Sequence, residues 1–196
     1  MNKDITHCLL CAQRIQAVIS WRILLTKQFP PTICDRCMAQ FEDSSCAFAI
    51  YKYNEAMKVY LHQYKFLQDI ALAKVFRQQI HAHFRKERAI IIPIPMHPLK
   101  QIERTFSHVE ELLKAACIPY IQLLEKTTTE TQSTKNREQR IQVAPLFRLI
   151  AGRQVEYQDY LLFDDIKTTG TTLQHATTIL LDAGAKNVRT FTLISG

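Results

Sequence analysis

Four cysteines near the N-terminus have the spacing of a metal site. They form two Cys-x-x-Cys pairs with 22 residues between the pairs: Cys8, Cys11, Cys34 and Cys37. Each pair can place two thiolates on one tight turn, and two such turns supply the four soft ligands of a tetrahedral zinc ion. We therefore predict a structural zinc site that is closed to catalysis, because four cysteines leave no open position. Reduced structural thiols or a redox pair are the alternatives.

A second group of polar residues lies in the stretch LLFDDIKTTGTTL, residues 161–173. We expect its apolar start to be a strand and residues 172–183 to be a helix. A turn between strand and helix presents backbone N–H groups at the positive end of the helix dipole, which suits a monophosphate. Gly170 removes the Cβ that would block close approach. Hydroxyl donors flank it on both sides: Thr168, Thr169, Thr171 and Thr172.

The two carboxylates in this stretch suit a sugar. Asp164 and Asp165 are expected at the carboxyl end of the strand, beside the phosphate turn, where they could accept hydrogen bonds from the vicinal hydroxyls of a ribose. Direct binding of magnesium or simple capping of the helix would also account for the acids. Neither of these alternatives accounts for the acids and the threonine–glycine turn together.

The rest of the chain alternates between strand and helix patterns. Short apolar runs predict strands, and apolar residues at helical spacing predict helices between them. The predicted strands are 46–53, 89–94, 121–124, 160–163 and 188–194. The predicted helices are one that Asn54 can cap at its start and those at 68–86, 103–117 and 172–183, with Gly184 as the C-cap glycine of the last. This alternation predicts an α/β fold with a parallel sheet covered on both faces. Ligands bind at the carboxyl ends of the strands in such sheets.

The chain divides into two predicted domains. Residues 1–45 contain the cysteine pairs and are expected to form a small zinc ribbon whose apolar middle docks on the larger part. Residues 46–196 form the α/β domain. Zinc would supply the folding energy that so short a segment lacks, and we expect the two domains to have separate cores. Cys46 and Cys117 lie in apolar stretches and are expected to be core thiols.

Charge and composition limit the classes of protein. The formal net charge is +7, and residues 46–120 contribute eleven Lys and Arg against six Asp and Glu. A basic middle segment suggests a surface for phosphates or nucleic acid, although scattered solubilising lysines would give the same count. The N-terminus has no apolar signal segment, and the apolar run 89–96 is too short to span a bilayer. We therefore predict a cytoplasmic protein with no membrane insertion.

The acidic stretch closely resembles the phosphoribosyl pyrophosphate motif of type I phosphoribosyltransferases. The resemblance implies that Asp164 and Asp165 contact the ribose hydroxyls. It also implies that the 5′-phosphate lies in a cradle formed by Thr168, Thr169, Gly170, Thr171 and Thr172. Lys167 departs from the pattern, which has an apolar or aromatic residue at this position.

The resemblance extends over almost the whole chain to the ComF family of zinc-ribbon, phosphoribosyltransferase-like proteins. The further matching segments are YKYNEAMKVYLHQYKFLQD, IIPIPMHPLKQIERTFSHV and TTTETQSTKNREQR. The resemblance implies a pyrophosphate and flexible-loop set of Arg104, Gln132 and Arg140, with magnesium arriving on phosphoribosyl pyrophosphate. The family pattern Arg-Gly-Phe-Asn-Gln is here Arg104, Thr105, Phe106, Ser107 and His108, and Val143 replaces a usual asparagine.

The polar stretch 127–140 is expected to be a loop. It has no hydrophobic residue and no periodicity, so it could be a solvated linker. Its length within a compact domain favours a flap over the strand ends.

Three functions are consistent with these residues. The ComF resemblance implies a role in DNA uptake during transformation, with binding of single-stranded DNA and of phosphoribosyl pyrophosphate; a competence helicase is a candidate partner, which could hold the protein at the inner face of the membrane. The second is a working phosphoribosyltransferase, for which no catalytic residue or acceptor pocket can be named. The third is a ligand-sensing adaptor of a helicase. We favour the first.

The predicted DNA contacts lie in the basic middle segment. Lys58, Lys65 and Arg104 would neutralise phosphates, and the aromatic residues interleaved with them could stack on bases: Tyr60, Tyr64 and Phe66. The alternative is that these aromatic residues form the core face of a helix.

Overall fold

A parallel sheet forms the centre of the molecule. The computed structural model describes residues 5–15, 29–127 and 146–196. In chain order its elements are α1 (Asp35–Met38), β1 (Ala49–Lys52), α2 (Glu55–Lys65), a 3₁₀ helix (Ile70–Lys74), α3 (Arg77–Phe84), β2 (Ile90–Pro93), α4 (Pro98–Arg104), α5 (His108–Ala115), β3 (Leu124–Lys126), β4 (Phe147–Leu149), β5 (Asp159–Lys167), α6 (Thr171–Asp182) and β6 (Asn187–Ser195).

Four strands make this sheet, in the order β1-β6-β5-β2. Every neighbouring pair is parallel, with Asp164 of β5 opposite Thr192 of β6 and Phe163 opposite Pro93 of β2. β3 and β4 form a separate antiparallel pair. The carboxyl ends of the four parallel strands therefore meet at one edge of the sheet, which is where the polar residues that follow β5 begin.

Buried side chains cover both faces of the sheet. One apolar cluster joins the odd-numbered β5 residues Leu161 and Phe163 to α2, α3 and α5. The other joins Tyr160 and Leu162 to α6 and to the β3–β4 pair. The predicted α/β class with a helix-covered parallel sheet is confirmed. Among the described residues, no helix is both long enough and apolar enough to cross a membrane.

Two predicted helices are each divided in two. Residues 68–86 contain the 3₁₀ helix and then α3, because the Asp69 carboxylate accepts a hydrogen bond from the N–H of Ala71 and starts a tight turn. Residues 103–117 contain the end of α4 and then α5. Thr105 separates them with φ +62°, a left-handed conformation that no helix interior tolerates. Pro98 starts α4 at a position where a missing N–H costs nothing.

The strand expected at 121–124 is displaced. β3 begins at Leu124 and pairs with β4, outside the parallel sheet. Three other predictions agree with the structure. Asn54 caps α2 by accepting from the N–H of Met57 at 2.9 Å, residues 171–182 form α6, and Gly184 follows that helix with φ +105°.

The cysteine-bearing segment shares its core with the α/β domain. Phe41 packs edge-on against Phe76, with ring centroids 4.9 Å apart, and Cys8 and Cys37 belong to the same buried cluster as Tyr60. The expectation of two separate cores is therefore wrong, because the described N-terminal residues are too few to enclose apolar side chains by themselves. The boundary at residue 45 remains a prediction.

The expectation that Cys46 and Cys117 are core thiols is wrong. Cys46 is only half-buried, and Cys117 is exposed because it follows the end of α5 in a left-handed conformation with φ +53°.

Candidate functional site

The four predicted metal ligands lie together. The sulfur atoms of Cys8, Cys11, Cys34 and Cys37 are all within 4.8 Å of one another. Tetrahedral ligands at the usual Zn–S length of about 2.3 Å are separated by about 3.8 Å, and the Cys11 and Cys34 sulfurs are 3.7 Å apart. The cluster could hold a metal ion such as zinc, and its four thiols would complete the coordination.

Local backbone geometry brings the two cysteine pairs to this point. The first pair lies on a tight turn in which the N–H of Ala12 donates to the carbonyl of Cys8, with Ala12 at φ +57°. In the second pair, Cys34 precedes α1 and Cys37 lies within it. Burial acts to raise the pKa of Cys8, but backbone hydrogen bonds from Cys34, Cys11 and Leu10 outweigh it and lower the pKa to about 6. A thiol that ionises so readily suits a metal ligand.

The threonine–glycine turn leads directly into α6. Gly170 precedes the first helical residue with φ +79°, and a Cβ built there would lie 3.1 Å from Cε of Lys167. The hydroxyls of Thr169 and Thr171 are 3.1 Å apart. Thr168 and Thr169 are exposed, whereas Thr171 and Thr172 are half-buried in the first turn of the helix. The five residues of the predicted phosphate cradle thus lie at the N-terminus of α6, a helix of twelve residues.

The two aspartates lie within β5 rather than after it. Successive side chains of a strand point to opposite faces. Phe163 belongs to the cluster that includes α2 and α5, and Leu162 belongs to the cluster that includes α6. Asp165 therefore continues the α2 face and Asp164 the α6 face. Sequence analysis placed the two carboxylates side by side because it ended the strand at Phe163.

Asp165 is held by an ion pair. Its carboxylate lies 2.6 Å from the ammonium of Lys65, the last residue of α2, and the two side chains are only 9% and 17% exposed. His108 of α5 interacts electrostatically with both charges. Burial lowers the pKa of His108 to about 4, although the charge of Asp165 acts in the opposite direction. The Nε2 atom of this neutral imidazole is buried without a hydrogen-bond partner among the described residues.

Asp164 has a different environment. Its side chain is half-buried and accepts a hydrogen bond from the N–H of Asp165 at 2.8 Å. Burial and the neighbouring Asp165 charge raise the pKa of Asp164 to about 8, while Lys65 and Lys126 act to lower it. At neutral pH, this carboxyl is largely protonated and can donate as well as accept a hydrogen bond. Such a group suits a hydroxyl better than it suits a metal cation.

Two residues near the aspartates were missed by sequence analysis. Burial and the charge of Lys100 lower the pKa of Lys126 in β3, whereas the charge of Asp164 acts to raise it. His108 was noted only as a departure from a family pattern. Neither contact has a local signal, because each joins elements that are far apart in sequence. Lys167, the other departure, places its ammonium 4.0 Å from the centre of the Phe48 ring.

The predicted DNA residues divide into buried and exposed groups. Tyr60 and Tyr64 are buried, so the core-face alternative is correct for both. Phe66 is 63% exposed. The guanidinium of Arg104 lies 5.3 Å from its ring centre, and its ring stacks with that of His62 at a centroid distance of 5.6 Å. Lys58 is exposed and pairs with Glu55 in its own helix. Gln132 and Arg140, and the stretch from 128 to 140, lie outside the described residues.

Comparison with known proteins shows which family the chain resembles in sequence. No protein-family model matches the chain. The competence protein ComFC of Streptococcus pneumoniae is 32% identical over 95% of this chain and 99% of its own length. The competence protein ComFC of Bacillus subtilis is 25% identical over 95% of this chain and 94% of its own length. A hypoxanthine phosphoribosyltransferase from Staphylococcus aureus overlaps 66% of this chain and 62% of its own, with 19% identity and a TM-score of 0.36.

The fold and the cysteine cluster define a class of protein, a parallel α/β domain with a potential metal site built into its core. The extent of the sequence match identifies the family. The chain belongs to the ComFC family of competence proteins.

Proposed function

We propose that this protein acts in DNA uptake by binding both phosphoribosyl pyrophosphate and single-stranded DNA. One observation carries the ligand assignment. The turn 168–172 places a left-handed glycine and four threonines at the N-terminus of α6, next to the strand that contains Asp164. Backbone N–H groups at the start of the helix, hydroxyl donors and the helix dipole together favour a phosphate dianion at this position.

The rest of the ligand follows from this placement. With its 5′-phosphate on the turn, the ribose would lie along the end of β5, where the Asp164 carboxyl can exchange hydrogen bonds with a hydroxyl. The pyrophosphate would reach towards Arg104 at the end of α4. The family resemblance adds Gln132 and Arg140, which lie outside the described residues, to the residues proposed to bind it. Magnesium would arrive with the pyrophosphate, because this ion is usually held by phosphate oxygens with few protein ligands.

The DNA assignment depends on a surface that we call the stacking surface: Lys58, His62, Phe66 and Arg104. Lys58, His62 and Phe66 are spaced four residues apart, so they lie on one side of α2 and its end. The exposed ring of Phe66 can stack on a base, while Lys58 and Arg104 neutralise phosphates. Lys65 is not included, since its ammonium is engaged by Asp165.

The cellular setting follows from the family. A protein that receives an incoming strand would work on the cytoplasmic side of the membrane, where a helicase that moves along DNA is the partner we propose. Zinc bound by the four cysteines would stabilise the part of the chain nearest to Phe41 and Phe76. We propose no catalysed reaction.

Titration of a labelled oligothymidylate, followed by fluorescence anisotropy, tests the DNA assignment. Stacking on an aromatic side chain contributes about 1–3 kcal/mol per base, so Phe66→Ala is expected to weaken binding by roughly 5- to 150-fold. Wild-type affinity is expected to fall steeply with salt. Lys186→Glu is the matched control, since Lys186 is exposed at the other end of the sheet, before β6. Equal losses in both variants, or an affinity that does not change with salt, would contradict the proposal.

A further inference from the structure

The ion pair between Lys65 and Asp165 closes one of the two carboxylates off from solvent. Asp165 is 6% exposed, and the ammonium that faces it at 2.6 Å is itself mostly buried. The carboxylate lies beneath α2 and α5, on the face of the sheet that contains Tyr60 and Tyr64. A sugar hydroxyl that took the place of Lys65 at this carboxylate would leave a mostly buried ammonium without its counterion, at a cost of several kcal/mol.

Asp164 is less buried than Asp165, and no ion pair of its carboxyl is found among the described residues. It is half-buried, lies on the α6 face, and is therefore on the same side of β5 as the helix that starts at the phosphate turn. Within the described part of the chain, its side chain accepts a hydrogen bond from the N–H of Asp165. The two adjacent acids thus differ in burial, in partner and in the face that they occupy.

We propose that Asp164 alone determines specificity for the ribose, and that Asp165 is a structural carboxylate held by Lys65. This assignment rests on the proposed function, since it concerns the same phosphoribosyl site. Ribose binding is thereby assigned to Asp164 and the structural ion pair to Asp165. The Lys65–Asp165 pair joins the last turn of α2 to the central strand, and Phe66 follows immediately in the chain.

Amine labelling of the wild-type protein tests this assignment without a mutation. Lys65 is expected to react slowly with an amine-directed acylating reagent, and to react equally slowly in the presence of saturating ribose 5-phosphate. The extent of labelling is read by mass spectrometry of the peptide that contains it. Lys58, exposed on the same helix, is the internal control and should label rapidly in both conditions. An increase in Lys65 labelling of threefold or more upon addition of ribose 5-phosphate would show that the ligand takes Asp165, and would overturn the proposal.

Two variants extend the test to affinity. The measured quantity is selectivity, the ratio of the affinity for ribose 5-phosphate to the affinity for inorganic phosphate. Asp164→Ala removes both carboxyl oxygens and is expected to lower this ratio by roughly tenfold, the effect of losing one hydrogen bond with a polar partner. The double replacement Lys65→Met with Asp165→Asn removes both charges together and should leave the ratio within about twofold of wild type.

The outcomes separate this inference from the proposed function. If the double variant loses selectivity as Asp164→Ala does, Asp165 contacts the ribose and the inference is wrong. If the wild-type protein shows no preference for ribose 5-phosphate over inorganic phosphate, the proposed phosphoribosyl site is itself wrong. Should the double variant not fold, the labelling of wild-type Lys65 still decides the question.

Discussion

The raised pKa of Asp164 makes the stability of the protein depend on pH in a predictable direction. The folded chain keeps this proton up to about pH 8, whereas the unfolded chain loses it near the ordinary value of 3.8. Between these values the folded state binds more protons than the unfolded state, so the free energy of unfolding decreases as the pH rises. Asparagine cannot ionise, so Asp164→Asn should escape this loss.

The size of the effect can be worked out from the shift. A rise from 3.8 to about 8 corresponds to an upper limit of roughly 5–6 kcal/mol, at about 1.4 kcal/mol per pH unit. The side chain is only half-buried, so solvent screening reduces this figure. We expect Asp164→Asn to gain about 2 kcal/mol over wild type between pH 5 and pH 9, with most of the gain complete by about pH 8.

Urea unfolding of both proteins at pH 5, 7 and 9 measures this difference. Protonation of the cysteine thiols in acid affects both proteins alike, so it cancels when they are compared at the same pH. Asp159→Asn is the control, because Asp159 is an exposed carboxylate at the start of the same strand. A difference between Asp164→Asn and wild type that stays constant within about 0.5 kcal/mol, or that decreases with pH, would refute the raised pKa.

Three further predictions follow from the cysteine cluster and from backbone conformation. Cys34→Ser should reduce the zinc content, measured by elemental analysis, from one ion per chain to much less. It should also lower the stability of the whole chain to urea by several kcal/mol, because Cys37 and Phe76 share one core. A variant that keeps its zinc would contradict this metal site. Thr105→Gly should raise the thermal midpoint, since a β-branched residue at φ +62° carries about 1–2 kcal/mol of strain; a lower midpoint would mean that the hydroxyl or methyl makes a stronger contact. Gly170→Val should abolish sulfate binding measured by calorimetry, whereas Gly152→Val, at the same φ of +79° but with no atom within 4 Å of its added Cβ, should cost stability alone; equal sulfate binding by both variants would exclude the turn as the phosphate site.

Features with a short-range signal were predicted well. The cysteine spacing indicated a cluster, Asn54 and Gly184 marked the ends of two helices, and the β-branched run at 90–93 became a buried strand. Each of these depends on geometry within a few residues. Helical periodicity also located the buried faces of 68–86 and 103–117, because apolar spacing is preserved across the break between two shorter helices.

Features that depend on distant contacts were not predicted. The end of β5 could not be located, because pairing with β6 carries the strand through both aspartates to Lys167. The division between Asp164 and Asp165 follows from that extension, since it assigns them to opposite faces. The Lys65–Asp165 pair joins residues one hundred positions apart, and the position of Lys126 beside Asp164 depends on the β3–β4 pair. A single sequence has no local pattern from which these contacts between distant residues can be predicted.

Calorimetric titration of the purified protein with phosphoribosyl pyrophosphate and magnesium tests directly whether the turn 168–172 binds a phosphoribosyl ligand. We expect one binding site per chain, competition by ribose 5-phosphate, and no binding by Gly170→Val, in which a side chain at φ +79° distorts the turn before α6. A wild-type titration that shows no saturable heat, or a Gly170→Val variant that binds as tightly as wild type, would contradict it.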